Sequence, residues 1–252
     1  ITLFHRHARG LILTEEGELL HKTTKDIFAQ LSLIEGQLMD TKRLPEGPLR
    51  ITVAEFIGTT WLAPKLKQLR LSHPELQLTL LIDDRILNLS MREADAAIRL
   101  HRPEQPDLIQ RHLTSIEFRI CASKDYIEEN GKPEKAKDLR NHTLLGYPPN
   151  APPPFSDPNW LLRIAGIDPE IHYNVILMNS MFGIERAVSR GAGIATLPEY
   201  LIQSNDNLEI LLPEIERKNV DMYFVYPEER RNSKRISLFR DFLLDNISKT
   251  EF

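Results

Sequence analysis

Apolar residues recur at helical spacing from about residue 14 to residue 43, and short alternating runs take over from residue 49. In the first stretch Leu20, Ile27 and Ile34 are spaced by seven, as are Leu31 and Leu38. Merged, Ile27, Leu31, Ile34 and Leu38 step by four, three and four, the seam of a two-stranded coiled coil. The opposite side carries Lys25, Asp26, Gln30, Glu35 and Gln37, as a solvated face should. Thr14 is a good N-cap, and Glu15 and Glu16 suit the positive end of the helix dipole. The pattern predicts a helix over 15–43, followed by a proline-flanked hinge over 44–48 (Leu44-Pro45-Glu46-Gly47-Pro48). A helix separated in this way from the next domain needs a partner, most simply a second copy of itself.

Beyond the hinge, strands and helices alternate. Strands are expected at Leu49–Ala54, Leu76–Ile82, Ala96–Leu100 and Phe118–Ala122, with a helix at Trp61–Ser72 and a short one at Leu87–Glu93. A second unit has strands at Thr143–Tyr147, Tyr173–Leu177, Gly193–Leu197, Leu208–Leu212 and Met222–Tyr226. Its helices begin at Lys124, Leu139 and Ser180; Trp160–Ala165 reads as a short strand or a helical turn. Pro148–Pro158 holds too many prolines for regular structure. Ser233–Ile247 is a closing helix. Strands separated by helices imply parallel pairing in an open α/β sheet. The expected units are 49–123 with 227–252, and 124–226. Two such units leave a cleft between them, where small ligands bind.

Composition narrows the function. A net charge of −4 over 252 residues excludes a general polycation, so any contact with nucleic acid must be local. The local candidate is Phe4–Thr14, with Arg6, Arg9, His5 and His7 and no acid. His5-x-His7 has no accompanying Cys/His set, so no metal is expected. Cys121 is the single cysteine, which excludes an intrachain disulfide and suits the cytoplasm. No apolar run reaches the ~18–20 residues that span a bilayer, and no secretory signal is visible. The chain starts at Ile1 in what reads as mid-domain, so upstream residues are expected.

Catalytic patterns are missing. Gly191-Ala192-Gly193 is a lone glycine pair, better read as a tight helix-to-strand turn than as a phosphate loop. Neither a Gly-x-Ser-x-Gly elbow nor His-Glu-x-x-His occurs. Cys121 sits in an apolar strand, where an inert thiol is the default. Glu93 and Asp95 read as a helix end entering a strand. We expect no enzymatic activity and no cofactor.

Five segments carry a family resemblance. They are LFHRHARGLILTEEGELL, GPLRITVAEFIGTTWLAPKLKQLRLSHPELQL, LSMREADAAIRL, NSMFGIERAVSRGAGIATLPEYL and SKRISLFRDFLLDNI. In this order they resemble a LysR-type transcriptional regulator over nearly the whole chain. The resemblance implies that residues 1–14 are the remnant of a winged helix, that 15–43 is a linker and dimerisation helix, and that two α/β subdomains of periplasmic-binding-protein-like fold follow. It places the helix-turn-helix upstream, so no residue here can be assigned to base readout. It implies double-stranded DNA, a small-molecule effector and a homodimer or homotetramer as partners, with no membrane. The seam residues Leu20, Ile27, Leu31, Ile34 and Leu38 would join the subunits. Arg6 and Arg9, with His5 and His7, would reach the minor groove and phosphates, adding salt-dependent affinity.

For the effector, the candidates lie where strands end and helices begin. Glu55-Phe56 and Thr59-Thr60 follow the first strand and precede a helix start, which suits an anion. Asn179-Ser180-Met181 offers the same from the opposite wall. Glu55 would repel a simple carboxylate, which points to a hydroxylated, cationic or zwitterionic ligand. Arg99 and His101 follow the third strand and are candidates to supply charge. Phe56, Tyr147 and Phe182 either wall the pocket or belong to the core. The proline loop is a candidate rim. A solute-binding protein of the same bilobed fold, without DNA binding, is the alternative. Residues 1–43 argue against it, because such a protein has no use for a basic patch and a coiled-coil helix.

Overall fold

The structure is a computed structural model that describes residues 1–7, 10–24, 27, 46–102, 105, 107–169, 171–250 and 252. Arg9, Leu31, Ile34 and Leu38 lie outside the described residues. β1 (Phe4–His7) and β2 (Gly10–Leu13) form an antiparallel hairpin with Phe4 opposite Leu13 and His7 opposite Gly10. Helix α1 follows from residue 15 to at least residue 24. Thr14 caps it as expected: its Oγ1 accepts the Gly17 N–H at 2.9 Å and donates to the Thr2 carbonyl at 2.8 Å. Leu19, Leu20 and Ile27 are exposed.

The rest is built on a seven-stranded mixed sheet. Its order is β10 (Leu208–Ile210), β6 (Leu108–Ser123), β11 (Lys218–Pro227), β5 (Ala96–Arg99), β3 (Gly47–Val53), β4 (Leu76–Ile82), with β9 (Ala195–Pro198) also paired to β6. Parallel pairing appears where helical or looped crossovers intervene, at β3/β4 and β3/β5, and between β7 (Leu144–Gly146) and β8 (Val175–Leu177). The other ladders are antiparallel, contrary to the wholly parallel reading. The cause is β6, sixteen residues long where five were expected. It pairs with β11 from Leu108 to Phe118 and with β9 and β10 from Phe118 to Ser123, so one strand serves both subdomains. The β6–β11 ladder has a register shift between Met222 and Tyr223.

Three local readings change. Gly47 and Pro48, expected in the hinge, open β3, because the Gly47 N–H donates to Glu75 O at 3.0 Å and proline is tolerated at a strand start. Leu87–Glu93 is a series of turns, not a helix. Asn88 Oδ1 takes the Met91 N–H, and Arg92 adopts φ 59°, an Asx-type turn that competes with helix. The helix after β3 starts early. Glu55 and Phe56 are already helical, and Ile57–Leu62 forms a π-turn before α2 (Leu66–Ser72). The remaining helices are α3 (Lys124–Asn130), α4 (Trp160–Ala165), α5 (Met181–Val188), α6 (Glu199–Gln203) and α7 (Lys234–Ile247).

Leu49, Ile51 and Val53 of β3 share one core with Phe118, Phe239, Leu243, Met181 and Ile184. A second cluster under β7 gathers Ile120, Tyr126, Trp160, Leu161 and Ile194.

Candidate functional site

In the order β5-β3-β4 the central strand runs parallel to both neighbours, and crossovers leave on either side. The carboxyl ends of such strands open a crevice. Here they deliver Ala54–Glu55, Asp83–Arg85 and Arg99–His101. Facing them are Tyr147, the proline loop, the start of α5 and Tyr200 of α6.

Three sets of contacts bridge the crevice. Ser180 Oγ donates to the Glu55 carboxylate at 2.7 and 3.0 Å, and the Phe182 N–H reaches Glu55 Oε2 at 3.5 Å. Tyr147 OH donates to the Asn179 carbonyl at 2.9 Å and to Asp84 Oδ2 at 3.4 Å, while Asp84 Oδ1 accepts the Glu55 N–H at 2.9 Å. Thr60 Oγ1 and Tyr200 OH are 2.9 Å apart. Burial raises the Asp84 pKa, with the Glu55 charge adding to the shift. Burial also pushes the Tyr147 phenol up, beside two carboxylates.

Beyond these bridges lies a cavity of about 460 Å³, lined by Asp84, Arg85, Ile86, His101, Pro152, Pro153, Phe155 and Ser156. Its volume falls within the usual range for small-molecule sites. The proline loop forms one wall of it. The loop is anchored by Phe155, whose ring lies 4.8 Å from that of Phe118; Phe56 meets Phe118 edge-on at 5.8 Å. Burial, then the charge of Arg99, lowers the His101 pKa, so neutral imidazole is favoured at the cavity wall. Arg99 is buried, and its guanidinium donates to Leu87 O at 2.8 Å.

The sequence candidates thus separate. Glu55, Ser180, Tyr147 and the Asn179 carbonyl meet across the crevice, and His101 lines the cavity. Phe56 and Met181 are core residues, 1% and 5% exposed. The Phe182 ring lies beneath the Arg186 guanidinium, 5.0 Å from ring centre to carbon, along α5. Thr59 and Thr60 do not stand at a helix start. They sit one turn in and donate back to Glu55 O and Phe56 O at 2.8 and 2.6 Å. That pattern is common for helical Thr. Glu93 and Asp95 have separate duties: Glu93 accepts the Asn88 N–H, and Asp95 accepts the Arg50 N–H and pairs with Arg230 at 3.0 Å. Cys121 is fully buried, and burial pushes its thiol up. Asp84, Arg85, Ile86 and Phe155 were missed. The strand-end rule applied to β4 would have found the first three, and Phe155 is the one aromatic inside the proline run.

Among the described residues no helix is long and apolar enough to cross a membrane. The family model for the LysR substrate binding domain matches residues 42–248. The regulator CrgA of Neisseria meningitidis (serogroup C, strain 8013) is 26% identical over 251 residues, covering 98% of this chain and 83% of its own. The regulator DmlR of Escherichia coli K12 is 32% identical over 139 residues, 55% of this chain and 45% of its own. The structure of CrgA from Neisseria meningitidis superposes with a TM-score of 0.71 at 25% identity, over 98% of this chain and 84% of that one. Full-length AphB of Vibrio cholerae shares the fold, with a TM-score of 0.70 at 20% identity over 97% of this chain and 84% of its own. A bilobed α/β fold, a crevice at the strand ends and a family match over most of its length lead to one conclusion: this chain belongs to the LysR-type transcriptional regulators and carries their effector-binding domain.

Proposed function

We propose that the effector binds in the 460 Å³ cavity between the strand ends and the proline loop, and that its binding changes how the two subdomains close. The observation that carries this reading is the cavity's position beside the bridges from Glu55, Asp84 and Thr60 to the opposite subdomain. A ligand that fits one closure better shifts the population toward it, and only that difference in affinity can act on DNA binding. The proposed subdomains are 49–123 with 227–252, and 124–226, with β11 crossing from the second to pair with β5 and β6 of the first. Neither catalysis nor a cofactor has a part in this mechanism. Ser156→Trp, which fills the cavity from its rim, is expected to abolish the change in operator affinity produced by small molecules from the host's extract, while unliganded DNA binding stays. An undiminished response would move the effector elsewhere.

The proposed grip on duplex DNA is the β1–β2 hairpin, through Arg6, Arg9, His5 and His7, in a cytoplasmic homodimer or homotetramer. Leu20, Ile27, Leu31, Ile34 and Leu38 are the proposed seam; the exposure of Leu20 and Ile27 in the single chain supports it. Leu31→Asp with Leu38→Asp is expected to yield monomers by light scattering. The same pair in the protein as its gene encodes it should sharply weaken binding to its promoter fragment. For the native protein, log affinity should fall with log salt with a slope of about −0.9 per neutralised phosphate. A flat salt response, or an assembly unchanged by the two aspartates, would refute this part.

A further inference from the structure

We infer that Glu55 is a built-in anion. Its carboxylate fills the N-terminal end of α5 across the cleft, ties the subdomains together, and makes that end refuse an effector carboxylate.

The N–H groups at the start of a helix, with the positive end of its dipole, form a seat for an anion. At α5 the seat is already occupied. Ser180 caps the helix by accepting the Gly183 N–H at 2.9 Å, and the same hydroxyl donates to both Glu55 oxygens. The Phe182 N–H points at Oε2. These are the contacts a bound carboxylate would make, supplied by a residue 125 positions earlier in the chain. Glu55 is held in place for this. It stands at the first helical position after β3, and its own N–H is fixed by Asp84, which Tyr147 reaches from the opposite side. The half-buried setting makes the charge-assisted bonds stronger than they would be in water. Of the other charged groups of the cleft, Asp83 pairs with Arg85 at 2.6 Å, and the Arg99 guanidinium donates to the Leu87 carbonyl. An effector therefore meets the cavity walls at Asp84, Arg85, Ile86, His101 and Phe155, not α5. The selectivity half of this inference rests on the cleft being the effector site; the bridge itself does not.

Acetate is the probe, and the whole 252-residue chain is the sample. Glu55→Ala should open the seat. Acetate should then bind saturably, detected by saturation transfer to its methyl group, and should raise the melting midpoint in step with its concentration while chloride at equal ionic strength does not. Adding Ser180→Ala should erase the response, and the native chain should show none. A native chain that responds like Glu55→Ala, or a folded Glu55→Ala that ignores acetate, overturns the inference. Should Glu55→Ala fail to fold, Glu55→Gln keeps the shape and removes the charge. Amide exchange at Phe182 and Gly183 should then be about tenfold faster than in the native chain, through local opening of α5. Unchanged exchange there overturns the inference equally. The Ser156→Trp result is independent of this one, so a wrong effector site and a wrong role for Glu55 can be told apart.

Discussion

Phe118→Ala should be among the most destabilising single changes in this chain, lowering stability by ~3–5 kcal/mol, the range for truncating a fully buried phenylalanine. The residue is 0% exposed, in the middle of β6. Its ring touches Phe56, in the first turn of the helix after β3, and Phe155, which anchors the proline loop. Aromatic pairs of this geometry contribute ~0.5–1.5 kcal/mol beyond their area. Three segments distant in sequence lose a shared contact at once. Calorimetry should show a melting midpoint roughly 6–20 °C lower, using ~2–4 °C per kcal/mol for a chain of this size. A loss within ~1 kcal/mol would mean that the stack is incidental to holding the subdomains together.

Gly193→Ala should cost nearly as much, for a different reason. At φ 153° its backbone suits glycine, and an added Cβ would lie 2.4 Å from Thr143 O and 2.8 Å from Leu145 Cδ1. The nearer atom is backbone and cannot swing away. It belongs to the link between β7 and the approach to β9, where Ile194 N–H donates to Thr143 O at 2.9 Å and Leu145 N–H to Ile194 O at 2.8 Å. Overpacking of ~1–3 kcal/mol adds to backbone strain of the same order. Gly131→Ala is the control. Gly131 also has positive φ, at 82°, but nothing lies within 4 Å of its added Cβ, so only strain of ~1–2 kcal/mol is expected. Urea unfolding of the two variants should separate them clearly; equal losses would show that the contact with Thr143 is harmless.

Much of the frame was readable from one sequence. The alternation in Leu76–Ile82 and the apolar run at Ala96–Ile98 gave strands because one face, or both, must be buried. Ser180 and Ser233 marked helix starts, and Gly191-Ala192-Gly193 marked a turn rather than a phosphate loop; Gly191 indeed has φ 81°. Thr14 fixed the start of the first helix through a local bond three residues long. All these signals are short-range, written in periodicity, caps and backbone preference.

Longer-range features stayed hidden. The first half of β6 was invisible because Gln110, Arg111, His112 and Ser115 break its apolar pattern. It becomes a strand only because β11 pairs with it along its length. The helix after β3 was placed six residues late, because Thr59 and Thr60 resemble caps until their hydroxyls are seen to bond back along the helix. Glu55, which the sequence places as a charge that would repel a carboxylate, instead bonds to Ser180 across the cleft. By itself, then, the sequence determined the family and where most of the strands and helices lie. Only the tertiary structure decided which polar groups meet across the cleft. A side chain's partner there depends on how two subdomains dock, and no local periodicity encodes a contact between residues 55 and 180.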